Sequence, residues 1–80
     1  MTEPDPGHQG RLGRDGAMLR QRLADVAASI ARTEDQVAAT MERIALVVPE
    51  DATRLLAQAE RARRFATLER DRAALLGLRR

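Results

Sequence analysis

Five hydrogen-bonding side chains recur in the first half of the chain: Asp25, Ser29, Arg32, Gln36 and Thr40. Their steps are four, three, four and four, so on a helix turning about 100° per residue they share a sector of roughly 80°. The set combines a carboxylate, a guanidinium fork and three short groups that donate and accept. An arginine fork meets phosphates and guanine edges in bidentate fashion and stacks on bases. Five such side chains thus line one edge of the helix for about four turns. The same residues also serve as the polar flank of a coiled coil, with arginine and aspartate pairing across the interface, and spacing alone does not separate the two.

Other chemistries have little to work with. The chain has no cysteine, which removes disulfides, thiolate metal sites and thiol catalysis, and its single histidine, His8, lies among glycines and prolines. Zinc sites and Ser-His-Asp triads are therefore not expected, and no cofactor is required. Asp25, Glu34 and Asp35 are carboxylates on an exposed helix with no pocket to tune them, so an enzyme is not expected either. Fourteen basic residues, all arginine, face twelve acidic ones, for a net charge of +2 and an isoelectric point near 10.9. Near-neutrality, interspersed acids and a single aromatic argue against direct DNA or RNA binding. There is no apolar run of membrane-spanning length and no signal-peptide pattern, so a soluble cytoplasmic protein without membrane contact is the expectation.

The elements that carry the stripe are helical. Residues 1–16 hold four glycines and two prolines without an apolar period, and read as a disordered tail, with Asp15 as the first N-cap. From there Leu19, Leu23, Val26, Ile30, Thr33, Val37, Thr40 or Met41, Ile44 and Val48 alternate steps of four and three, the seam of a helix lying along another. The first helix is expected over about residues 17–48, with the polar stripe turned about 100° from the seam and bordering it. Pro49 ends it and suits the first turn of a second helix, and Glu50 and Asp51 favour that helix's positive end.

The second helix is expected over about residues 50–77, with Gly77 as its punctuation. Its seam is Ala52, Leu55, Ala59, Ala62, Ala66, Ala73 and Leu76, with Glu69 intruding. Leu56, Phe65, Leu68 and Leu75 widen the apolar arc beyond one seam. Arg54, Arg61, Arg63, Arg64, Arg70 and Arg72 line the same helix, with Arg79 and Arg80 at its tip. They form a solvated face or a binding surface for an acidic protein or nucleic acid. Fifteen alanines bury little area, so an isolated hairpin gains little from packing. The fold expected is an all-α, antiparallel two-helix hairpin that dimerises into a four-helix assembly.

Asp25-x3-Ser29-x2-Arg32-x3-Gln36-x3-Thr40 resembles the signature of the cyclic-di-GMP-binding anti-sigma factor RsiG family, Glu-x3-Ser-x2-Arg-x3-Gln-x3-Asp. Ser29, Arg32 and Gln36 match in type, Asp25 is a shortened acid, and Thr40 replaces a carboxylate. The resemblance covers sixteen of the eighty residues. It implies a site built from two motif copies on antiparallel coiled-coil helices. One copy per chain therefore implies a homodimer. Arg32 would meet a guanine edge, a base face or a phosphate; Asp25 would accept from guanine N–H groups; Ser29 and Gln36 would serve phosphate or base edges. The function implied is nucleotide-dependent sequestration of a sigma factor. Leu56, Phe65, Leu68, Arg61 and Arg64 are the candidate sigma-factor surface, so polar residues at Leu56 and Phe65 should abolish capture and spare nucleotide binding. The alternative is a structural coiled-coil adaptor without a small ligand.

Overall fold

The computed structural model describes residues 6–78; the proposed terminal arginines 79 and 80 and residues 1–5 of the expected tail lie outside them. Two helices, α1 (Pro6–Val47) and α2 (Ala52–Leu78), fold back on each other through a single 3-10 turn, Pro49–Asp51. The rod measures 70 × 20 × 13 Å.

The turn forms where proline dictates it. Val48 leaves helical geometry (φ −127°, ψ 75°) because the ring that follows disfavours it. Its N–H still reaches the Ile44 carbonyl (2.9 Å), closing α1. The Asp51 N–H then donates to the Val48 carbonyl (3.0 Å), and the Ala52 N–H to that of Pro49.

Three expectations at the helix ends are corrected. The helix begins at Pro6, so residues 6–16 are helical where a disordered tail was expected, and Asp15 lies inside the helix rather than at its cap. Once a long helix is nucleated, each added residue gains a hydrogen bond for two fixed dihedrals, and proline is acceptable at a first helical position. Second, α2 starts at Ala52, after the 3-10 turn, rather than at residue 50. Third, α2 runs through Gly77 to Leu78, and no glycine has positive φ, so Gly77 is an interior residue.

The core differs between the helices. On α2 the expected seam is the buried one: Leu55, Ala59, Ala62, Ala66 and Glu69 are buried, with Ala52, Ala73 and Leu76 partly so. On α1 the buried residues are Ala24, Ala27, Ala31, Ala38 and Ala45, while Leu19, Leu23, Val26, Ile30, Val37 and Ile44 stay substantially exposed. The large apolar row expected to form the seam is therefore not the one that faces α2. Its centre lies about 100° round the helix from the alanine row. Alanine against alanine, as at Ala38 with Ala59 and Ala62, lets the two helices approach closely, and the bulkier row is left for another contact.

Candidate functional site

The hairpin has two unlike edges. Along one, Glu42, Arg63, Asp35 and Arg70 form a continuous ion-pair ladder between α1 and α2. Arg63 donates to Glu42 twice, through Nε (3.3 Å) and Nη2 (2.5 Å), and its Nη1 lies 3.6 Å from Asp35. Asp35 also pairs with Arg70. Hydrogen bonding from Arg63, aided by its charge and opposed by desolvation, holds the Glu42 carboxyl below its ordinary pKa. The same bond raises that of Arg63. The ladder was not anticipated, although its signal is in the sequence: acids seven apart on the first helix and arginines seven apart on the second. Those are the flanking positions of a coiled coil.

Along the other edge lies apolar surface. Leu23, Val26, Ala27 and Ile30 of α1 and Glu69, Arg72 and Leu76 of α2 line a shallow groove of about 270 Å³. Phe65, half-exposed, is on this side of α2, between the levels of Leu76 and the turn. Val37 and Ile44 continue the α1 row toward the turn. Glu69, the acid within the α2 seam, is buried at the groove's floor with Arg72 at 4.0 Å.

All five residues of the polar stripe are exposed on one side of α1. That side is about 160° from the alanine row, so within a single chain the stripe faces away from α2 and not along the hairpin's own interface. What it borders is the exposed apolar row. We call it the ledge. Its members are lightly engaged: Gln21 Nε2 donates to Asp25 (2.9 Å), and Arg43 Nη2 donates to Thr40 (3.2 Å). Arg32 makes no ion pair among the described residues.

The candidate partner residues on α2 do not all share one side of the helix. Leu56 and Phe65 are nine residues apart, which places them about 180° from each other. Leu56 looks to the ion-paired edge and Phe65 to the apolar one, while Arg61, Arg64 and Leu68 point outward from α2. Leu56 thus stands apart from the other four, which fall within a sector of roughly 100°.

Comparison with protein-family models, with curated proteins and with solved structures gives no match for this chain.

Proposed function

We propose that the chain acts as a pair of hairpins that binds cyclic-di-GMP on the ledge and, when loaded, sequesters a sigma factor. The observation that carries this reading is that the exposed apolar row and the ledge have centres only one residue apart. In the row, Leu23 and Ile44, and Ile30 and Val37, lie at equal distances either side of the Thr33–Glu34 bond, and the partly buried Met41 and Val48 stand opposite Val26 and Leu19. In the ledge, Asp25 and Thr40, and Ser29 and Gln36, are balanced about the Arg32–Thr33 bond, one residue away.

A row with that symmetry matches itself when a second α1 runs antiparallel to it. Every large apolar residue then meets another, and the half-exposed apolar edge is covered. The two-fold axis of such a pair is perpendicular to both helices. It therefore keeps both ledges on one face, whereas a parallel two-fold would turn them to opposite faces. Two Arg32 side chains then lie at nearly the same level, on the same face of the pair. Two like charges with no anion between them repel, and a ligand carrying two phosphates relieves that repulsion. Asp25 from each chain takes the outer positions, suited to guanine N–H donors, with Ser29 and Gln36 between. Thr40 lacks the carboxylate that the resembled motif has at this place, which removes one charged acceptor per chain.

The nucleotide bridges two chains in this scheme, so it strengthens the pair. By linkage, any partner that needs the pair must in turn strengthen nucleotide binding by the same factor. Titration calorimetry with cyclic-di-GMP tests the reading. Saturable heat from the wild type and its loss in Arg32→Ala are expected; a wild type that gives no heat contradicts it.

The exposed apolar edge favours a second reading, an oligomerisation adaptor without a small ligand. It needs the row and leaves the ledge as a solvated flank. Normal pairing with no nucleotide heat selects it.

A further inference from the structure

The outward side of α2 carries a second regular row that neither the hairpin nor the apolar edge uses. Arg54, Arg61, Leu68 and Leu75 follow one another at seven-residue intervals over about 32 Å. All four are exposed, the two leucines at 64 % each, and the row lies about 130° round the helix from the buried seam. Among the described residues Arg54 pairs only within its own turn of chain, with Asp51 at 3.6 Å and in the open. Arg61 makes no ion pair among the described residues. The row is basic for two heptads and apolar for two.

That polarity decides what can cover it. A second copy laid parallel would set Arg54 and Arg61 against themselves. Laid antiparallel, it would press Arg54 onto Leu75 and Arg61 onto Leu68, burying guanidinium groups against leucine without a counter-charge. Self-association therefore suits the apolar row of α1 and is unsuited to this one. Nucleic acid fits only the basic half. A helix with two carboxylates and then two apolar side chains at the same spacing complements both halves.

We infer that the Arg54–Arg61–Leu68–Leu75 row docks an amphipathic helix of a different protein, acidic along one half and apolar along the other. This gives the capture step of the proposed function its surface and the chemistry of its partner. It does not depend on the identity of the nucleotide. The carboxylates exchange the weak surface pairing of Arg54 and the solvation of Arg61 for interhelical pairs, and Leu68 and Leu75 lose their exposed area to apolar neighbours.

The test is fluorescence anisotropy with a labelled, alanine-based helical peptide of about 25 residues, long enough to span the row. It carries Glu at two successive heptad positions and Leu at the next two, in both sequence orders, with and without cyclic-di-GMP. A matching peptide has Lys for Glu. Saturable binding of the Glu peptide in one order is expected, at least tenfold weaker for Arg61→Glu and for Leu68→Glu. The Lys peptide should ignore the wild type and bind Arg61→Glu. The inference is overturned if wild type takes Glu and Lys peptides equally or neither of them. It is also overturned if both variants bind as wild type does, or if random duplex DNA displaces the peptide. Both substitutions are at exposed positions, so the hairpin should persist, which circular dichroism checks. Nucleotide calorimetry on the wild type reports the ledge separately: heat without peptide binding condemns the docking row alone, and peptide binding without heat condemns the nucleotide reading alone.

Discussion

Replacing Ala38 with leucine asks which row of α1 faces α2. Ala38 has no exposed surface and packs with Ala59 and Ala62, with Met41 beside them. A leucine adds three carbons where two alanine rows meet. The helices must then separate along the row, or the new side chain must leave its preferred rotamer; overpacking of this kind costs about 1–3 kcal/mol. Ala66, also with no exposed surface, should behave alike. The exposed Ala57 is the control, since leucine there differs from alanine only by a helix propensity of about 0.2 kcal/mol. For a chain of this size 1 kcal/mol shifts the melting temperature by about 4–8 °C. Ala38→Leu should therefore melt at least about 4 °C below wild type, with Ala57→Leu within about 2 °C of it. Far-ultraviolet circular dichroism measures both, at matched chain concentration because a pairing protein melts at a concentration-dependent temperature. If Ala38→Leu melts at or above wild type, the alanine row is not the intramolecular contact, and the larger row must face α2 instead.

The remaining predictions address pairing, the ledge, the ladder and the end of α2. Ile30→Glu with Val37→Glu should reduce the sedimenting mass to the 8.9 kDa of one chain while helicity is kept, because both residues are in the exposed row and not in the alanine contact. Thr40→Asp restores the acid of the resembled motif; a charged hydrogen bond is worth about 1.5–3 kcal/mol, so cyclic-di-GMP should bind roughly tenfold tighter or better by calorimetry. The pKa of Glu42 is lowered on folding, so its contribution is present above the ordinary carboxylate value of 4.5 and lost as pH falls through the folded value. Denaturant midpoints measured from pH 7 to pH 3 should fall less steeply for Glu42→Gln than for wild type. Gly77→Ala should raise stability by about 0.4–1 kcal/mol, because a methyl there meets nothing within 4 Å and the backbone is helical. A loss of stability would mean that Gly77 ends the helix after all.

Much of this architecture is legible in the sequence. Pro49 after an unbroken heptad pattern marks the turn, and the alanine-rich seam of α2 is read correctly, including the intruding Glu69. The error on α1 has a physical origin. Periodicity ranks rows by hydrophobicity, so Leu23, Ile30 and Val37 outrank Ala24, Ala31 and Ala38. A seam of small residues, however, gains from close approach rather than from transfer of large side chains. Once α2 is known to present alanines, small partners on α1 are the better complement. The ledge's membership follows from spacing alone. Its place, on the side away from α2, requires knowing which row is buried. The Glu42–Arg63–Asp35–Arg70 ladder was hidden because pairing across a hairpin depends on axial register, which neither helix carries by itself. The helical state of residues 6–16 was missed for another reason: glycine content speaks to local preference, whereas propagation depends on the helix that follows.

How two copies meet decides whether a shared site exists. The sequence contains no cysteine, so single cysteines report contacts without interference. Leu23→Cys and Ile44→Cys chains should be mixed, oxidised gently and resolved by mass. Antiparallel pairing brings position 23 of one chain against position 44 of the other and leaves the two copies of Leu23 about 32 Å apart. A disulfide needs β-carbons about 4 Å apart. The mixture should therefore yield the 23–44 cross-link, and Leu23→Cys alone should give none. Efficient self-linking of Leu23→Cys, with no mixed product, would put the helices parallel and the ledges on opposite faces, and the shared site would not exist.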